Sequence, residues 1–382
     1  MVIKKIFSDF CLVGEDLDLK KNVIIEISRN GIIKGINESE KINNRNPLGK
    51  GKTILLPGFI NSHIHIADSI GKEFGLNKPI NDVVSGPDSL KYKLLREVDE
   101  NLIIKGIREA VNEMLSNGIT LFIDFREFGI KGIKLLKKAL KDSPIKFKIL
   151  GRQHENDDIS EIYNLADGIG FPSSSKIDGD FIKNILNKNS PTNKIIATHI
   201  SEVKRENIIL ENILSDDFID VFVHGTHFTK QDLLKIKKHN KKIVICPQSN
   251  GYFGMGIPPL KEMLEMKLEI SIGTDNLMAI RPDLFEEMRY LYKVSKIRNP
   301  SYVIKSRDLL KMVTINAAKN FRLDKEIGSI SVGKYADFFL INLDDSNFFS
   351  INHKNLIDLS VHRTTSFNIK KVYIKGRVVF EK

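Results

Sequence analysis

No apolar run in the 382-residue chain approaches the roughly 18 to 20 residues that a membrane-spanning helix needs, and the start, Met1-Val-Ile-Lys-Lys-Ile6, lacks the apolar segment of a signal peptide. A cytoplasmic protein with no membrane partner is expected. Cysteine is scarce. Cys11 and Cys246 stand far apart without a Cys-x-x-Cys, which argues against a disulfide framework or a thiolate metal site, so both read as reduced core residues. Also missing is a basic tract interleaved with aromatics of the kind that stacks bases. That absence matters because the net charge is +11, from 59 Lys+Arg against 48 Asp+Glu, which alone would suit an anionic partner. The lysines are spread instead over amphipathic stretches such as Lys131-Gly-Ile-Lys-Leu-Leu-Lys-Lys138 and Lys235-Ile-Lys-Lys238, where they form solvated faces opposite apolar stripes. Nucleic-acid binding is not expected.

What is present is ordinary for a globular protein, with 41% apolar and 28% charged residues. The length fits one large barrel-type domain with an appendage, or two to three ordinary domains. The first fifty residues read as β: Val23 to Ser28, a turn at Arg29-Asn30-Gly31, then Ile32 to Ile36 form a hairpin pattern. The other end is β-like again, in Ala336 to Asn342 and Val372 to Phe380. Short β segments at opposite ends of a chain can supply strands to one small sheet domain that brackets the middle.

Between about 54 and 325 the pattern changes. Eight short apolar runs, Ile54 to Ile60, Thr120 to Phe125, Phe147 to Gly151, Ala166 to Gly170, Lys194 to His199, Asp220 to His224, Lys242 to Cys246 and Glu269 to Asp275, alternate with amphipathic stretches. Helical periodicity is clear in Glu97 to Leu115, Ile130 to Leu140, Lys230 to Lys238 and Leu284 to Val294. Such alternation gives a parallel sheet, and eight units point to an α/β fold of the (β/α)8 TIM-barrel type.

In such barrels the chemistry gathers at the C-terminal ends of the strands. His63-Ile64-His65 follows run one, and residues i and i+2 of a strand share a face, so two imidazoles leave one strand side by side. His-x-His alone is a weak signal. His199 ends run five, His224 ends run six and Asp275 ends run eight, so all five groups converge on one rim. Imidazoles with a carboxylate and an open position for water describe a catalytic zinc-type site rather than a closed structural one.

At these residues the sequence resembles the amidohydrolase superfamily, in particular its mononuclear deaminase and chlorohydrolase branch, which includes S-adenosylhomocysteine deaminase. The matching stretches are Pro57-Gly-Phe-Ile-Asn-Ser-His-Ile-His65, His199-Ile-Ser-Glu202, Val223-His-Gly-Thr-His227, Cys246-Pro-Gln-Ser-Asn250, Gly273-Thr-Asp275 and Gly328 to Asp337. They run in the family's order over nearly the whole chain. The resemblance implies a split β-sandwich formed by residues 1–53 and 326–382 around a barrel of residues 54–325. It implies that His63, His65, His199 and Asp275 bind one divalent metal, zinc or ferrous iron, and that Glu202 shuttles protons. His224 would hydrogen-bond the activated water or the tetrahedral intermediate, with Asp275 also counted in the catalytic set. A helix beginning near Val203 offers Glu202 a second reading, as a carboxylate favoured by the helix dipole. Binuclear members of the superfamily commonly carry a bridging lysine at the end of strand four; run four ends Gly168-Ile-Gly-Phe-Pro172, with Lys176 already in a loop, so one metal is expected.

Substrate contacts are read from position only. Arg126 and Glu127 follow run two, Arg152 and His154 follow run three, and Gln248 and Asn250 follow run seven. Arg126 and Arg152 are the candidates for gripping an anionic group, against the alternative of ordinary salt bridges. The segment Ala67 to Leu95 is a candidate lid. His227 stays unassigned and Cys246 reads as a small apolar residue. The expected partner is a small molecule, with oligomeric state left open. The leading expectation is removal of ammonia from an amino-substituted purine, pyrimidine or pterin-type ring. Hydrolysis of a cyclic amide or ring halide is the alternative on the same machinery, and a non-catalytic barrel scaffold is the alternative from another class.

Overall fold

In chain order, the amino-terminal strands are β1 (Val2–Val13), β2 (Asp18–Ser28), β3 (Ile33–Glu38) and β4 (Thr53–Pro57). The computed structural model describes residues 2–38, 52–177, 194–206, 218–352 and 354–382. The hairpin expected at Asn30-Gly31 joins β2 to β3, with Gly31 at φ +76 donating its N–H to Ser28 O at 3.0 Å. That left-handed backbone suits glycine. Alternation along β2 buries Val23, Ile25 and Ile27 on one face, as a half-covered strand requires.

The middle of the chain supplies β5 (Phe59–His65), β6 (Ile119–Arg126), β7 (Lys146–Gly151), β8 (Gly168–Phe171), β9 (Ile195–Ile200), β10 (Val221–His224), β11 (Lys242–Ile245), β12 (Ile270–Ile272) and β13 (Asp275–Asn276). All pair in parallel in one nine-stranded sheet. Strands β5, β6, β8, β9 and β10 are buried along their whole length, the mark of a parallel sheet covered on both faces. The helices Glu100–Ser116, Gly129–Ala139, Lys230–Lys238 and Leu284–Arg298 lie close to the expected spans. Their starts are set by side chains: Asp99 accepts from Asn101 N, and Thr229 with Asp232 forms a capping box.

The chain then returns to the first sheet as β14 (Phe338–Asn342), β15 (Ile369–Ile374) and β16 (Arg377–Glu381), giving the order β16-β15-β14-β4-β1-β2-β3. Both chain ends thus build one sheet. Phe59 sits between the two sheets, edge-on to Phe285 and to Phe339 with ring centroids 4.8 Å apart in each pair. Each such pair contributes about 0.5–1.5 kcal/mol beyond area burial.

Three apolar runs divide where one strand was expected. Ile54 to Ile60 splits at Pro57-Gly58: β4 pairs with β1 and β14, while β5 enters the parallel sheet. The reason is a close crossing, since a Cβ on Gly58 would lie 2.2 Å from Thr120 Oγ1. The change of sheet therefore falls at Gly58, inside the first run. Val372 to Phe380 turns at Lys375-Gly376 into the β15/β16 hairpin. Glu269 to Asp275 breaks at Gly273-Thr274, so that β12 pairs with β11 and β13 pairs with β5. The two edges of the curled sheet are the two halves of a single run. Among the described residues no helix is long and apolar enough to cross a membrane.

Candidate functional site

Strand alternation places Asn61, His63 and His65 on one face of β5. Asn61 then fixes the break in the eighth run, donating from Nδ2 to Thr274 Oγ1 at 2.7 Å and accepting from Thr274 N at 3.0 Å. This clamp sets Asp275 opposite Ile64. Asp275 Oδ1 lies 3.1 Å from His63 Nε2 and 3.4 Å from His65 Nε2. Gly273 permits the approach, because a Cβ there would come within 2.6 Å of His63 backbone and Cβ atoms. His199, on β9, brings its ring to 4.8 Å from His63, centroid to centroid. His224 ends β10, at 5.4 Å from the His199 ring.

Donor atoms of His63, His65 and Asp275 lie within 4.8 Å of one another, as do those of His63, His199 and His224, and those of Glu202, His224 and Asp275. These overlapping trios share their members. Backbone strain collects at the same place: His224 has φ +74 and Asp275 φ +63, both in the left-handed region that non-glycine residues seldom occupy.

His63 and His199 are prepared as neutral donors. Burial drives His63 down to about 3 despite the Asp275 carboxylate, and burial holds His199 well below the usual histidine range. A neutral ring has one nitrogen free to ligate. His199 Nδ1 is 2.8 Å from Phe171 O, so its Nδ1–H donates to backbone and leaves Nε2 as the acceptor, and His65 Nδ1 is likewise 3.0 Å from Phe125 O. Asp275 is held well below the carboxylate range: burial would raise it, but the hydrogen bond from His63 comes first among the causes that outweigh burial. Its second oxygen accepts from Ser249 Oγ at 2.5 Å. Neutral His63 and His199 beside an ionised carboxylate, with His63 Nδ1 buried and unbonded, fit a divalent ion of borderline softness.

Glu202 and His224 form the other half. Glu202 Oε1 is 3.6 Å from His224 Nε2, and burial raises the Glu202 carboxyl despite the nearby His224. Asn250 orients His224, accepting from Nδ1 at 3.1 Å while its own amide donates to Thr226 Oγ1 at 2.8 Å. Residues 201–204 are bends, so Glu202 sits on no helix start there, and the stretch that would extend it, 207–217, lies outside the described residues.

A family model of the amidohydrolase family matches residues 54–379. The chain belongs to the amidohydrolase family. An uncharacterised protein of Methanocaldococcus jannaschii is 34% identical over 95% of this chain and 96% of its own length. A 5-methylthioadenosine/S-adenosylhomocysteine deaminase of Thermoanaerobacter pseudethanolicus is 27% identical over 86% of this chain and 82% of its own. Among solved structures, zinc-complexed atrazine chlorohydrolase from Arthrobacter aurescens superposes with a TM-score of 0.81 at 17% identity, covering 98% of this chain and 94% of that one. That likeness carries the fold, a parallel sheet of TIM-barrel type.

In this amidohydrolase His65, His199, His224, Glu202 and Asp275 meet in a cavity of about 450 Å³. Arg152 and His154 line it, and so do Lys91, Tyr92 and Arg96 from the segment after β5. That segment forms a 3-10 turn (Ile66–Gly71) and the helices Ile80–Val84 and Leu90–Glu97. Arg152 donates to Tyr92 Oη at 3.2 Å. Arg126 goes elsewhere. Only 2% exposed, it donates to Glu127 Oε2 at 2.7 Å, lies 3.5 Å from Asp124 Oδ2, and lines a neighbouring cavity with Phe128 and Gly132. Glu127, considered for substrate, is 2.5 Å from His65 Nδ1. Burial would raise it, but the Lys91 and Arg126 charges hold it well below the carboxylate range. Gln248 gives its N–H to Glu287 Oε2 at 3.1 Å, and burial pushes the Cys246 thiol up, away from any nucleophilic use. Lys176 ends a 3-10 turn (Ser174–Lys176) beyond β8. The sequence reading missed Ser249, Asp68 and Lys91. Ser249 lay within a quoted motif and needed only its strand-end position, whereas Asp68 and Lys91 carry no local signal.

Proposed function

We propose that the protein is a metal-dependent aminohydrolase that replaces the exocyclic amino group of a purine-, pyrimidine- or pterin-type ring with oxygen and releases ammonia. The observation that carries this reading is Glu202 and His224 facing each other at 3.6 Å beside Asp275, in the same cavity as His65 and His199. His63, His65, His199 and Asp275 would hold one ion, zinc or ferrous iron, within a (β/α)8 barrel of residues 54–325 bracketed by a terminal sandwich of residues 1–53 and 326–382. When bound, that ion supplies a Lewis acid that lowers the pKa of water to about 7. The lack of a lysine in Gly168–Phe171 supports a single ion.

The remaining work falls to the chain's own groups. Glu202 takes a proton from the attacking water and gives it to the ring nitrogen, then carries the second proton from the new hydroxyl to the departing amine, so that water and the aminated ring become the oxo ring and ammonia. A carboxyl raised by burial suits a group that must both accept and release a proton near neutrality. His224, fixed through Nδ1 by Asn250, presents Nε2 where charge develops on the substrate carbon's new oxygen. Ser249 and the Asn61–Thr274 clamp hold Asp275 against rotation. Arg152, on the cavity wall, anchors an anionic or hydroxyl-bearing part of the substrate.

The test is an ammonia-release screen of zinc- and iron-loaded protein against aminated bases, nucleosides and pterins, with elemental analysis of the same samples. Ammonia from a member of the panel and one metal per chain are expected. Halide or ring-opened acid released from a ring halide or cyclic amide, with no ammonia from any panel member, would overturn the deaminase reading. Two metals per chain would overturn the mononuclear site.

A further inference from the structure

Beside the histidine cluster lies a second trio of possible metal donors. His65, Asp68 and Glu127 offer ligand atoms within 4.8 Å of one another, and the side chains of both acids are wholly buried. A cation already reaches it from another part of the chain. Lys91, 3% exposed on helix Leu90–Glu97, places Nζ 2.8 Å from Asp68 Oδ2 and 2.5 Å from Glu127 Oε1. The same Glu127 oxygen is 2.5 Å from His65 Nδ1, and His65 Nε2 faces Asp275. One carboxylate oxygen therefore links the ammonium to a proposed metal ligand.

We propose that Lys91 is a positioning residue that occupies the place of a second metal ion, keeping the centre mononuclear and holding Glu127 turned toward His65. The charge balance supports it. Buried Asp68, Asp124 and Glu127 are matched by Lys91, Arg126 and Arg152, three against three. A divalent ion added to this set would leave it two charges in excess, whereas one replacing Lys91 would leave an excess of one. With its ammonium gone, the trio has two buried carboxylates without that partner, and their oxygens beside the His65 ring suit a divalent ion. Glu127 also loses its closest cation, so its hold on the far side of the His65 ring weakens. Outer partners of this kind typically alter metal affinity 10–100-fold. Lys91 further ties the covering segment to the rim, since Tyr92 and Arg96 on the same helix line the substrate cavity.

The inference rests on the metal-site reading above, and the experiment separates the two. Zinc content after exhaustive dialysis against micromolar zinc, and zinc Kd by chelator competition, are measured for the parent, Lys91→Met, and the double variant Lys91→Met with Asp68→Asn, which removes one acid together with the base. The parent should hold one zinc. Lys91→Met should hold a second, weaker zinc. The double variant should return to one zinc, bound 10–100-fold less tightly than in the parent because Glu127 has lost its partner. Should Lys91→Met fail to fold, the double variant decides by its Kd. A folded Lys91→Met with one zinc, or a double variant that binds zinc as tightly as the parent, overturns the proposal while leaving the metal site intact; two zincs on the parent do the same to the proposal. No zinc on the parent overturns the metal reading and this inference with it.

Discussion

His63 offers a direct test of whether the buried imidazoles are neutral. Burial lowers it from an ordinary value of 6.5 to about 3. A histidine whose folded pKa is depressed leaves stability intact above the unfolded pKa and removes it as pH falls toward the folded value, because only the unfolded chain takes up the proton. Between pH 7.5 and pH 5 the unfolded His63 goes from almost neutral to almost fully protonated, while the folded one stays neutral. Integrated over that window, the loss is about 2 kcal/mol for this one group, at up to about 1.4 kcal/mol per pH unit. The figure depends little on the folded value so long as it lies below about 4. Asp275 is held well below the carboxylate range and stays ionised throughout the window. The assay is urea unfolding of chelator-stripped protein at pH 7.5 and 5, for the parent and for His63→Gln. The variant should lose about 2 kcal/mol less than the parent on acidification, a difference that cancels the titrating groups His63 does not touch and is large beside a total of about 5–15 kcal/mol. If both proteins lost stability in parallel, His63 would be protonated in the fold at pH 5, and its role as a neutral ligand would fail.

Glu202→Gln should keep its metal content while kcat falls by ~10² to 10⁴, the usual worth of general acid and base catalysis, measured by ammonia release beside elemental analysis. His224→Asn should likewise hold metal and lose rate, by about 3 to 4 kcal/mol of transition-state stabilisation; a parental rate in either variant removes that residue from the mechanism. Arg152→Met should raise KM more than it lowers kcat, since Arg152 lines the cavity and its side chain, among the described residues, reaches Tyr92 and Glu127. Arg126→Met should instead cost about 3–5 kcal/mol of folding stability, because it strips a buried cation from Asp124 and Glu127; intact stability with a raised KM would reverse these two assignments.

Much of the architecture was legible because it repeats locally. Period-two alternation puts His63 and His65 on one face, and alternating strand and helix in a parallel sheet puts the ends of β9, β10 and β13 on the rim where β5 ends. From those two facts the chain itself determined which histidines would meet and that Asp275 would join them. Where strands break was not legible, because nothing local in Ile54 to Ile60 or Glu269 to Asp275 shows which chain passes close by; close crossings at Gly58 and Gly273, set by partners distant in sequence, decide it. Position at a strand end could not separate Arg152 from Arg126 either. Neighbouring residues on a strand point to opposite faces, and which face meets the cavity depends on the curl of the sheet. The ion pairs of Lys91 lie furthest from the sequence's reach. Asp68, Lys91 and Glu127 come from a turn, a helix and the end of a strand, and charges interact through distance in space, which only the packed chain sets.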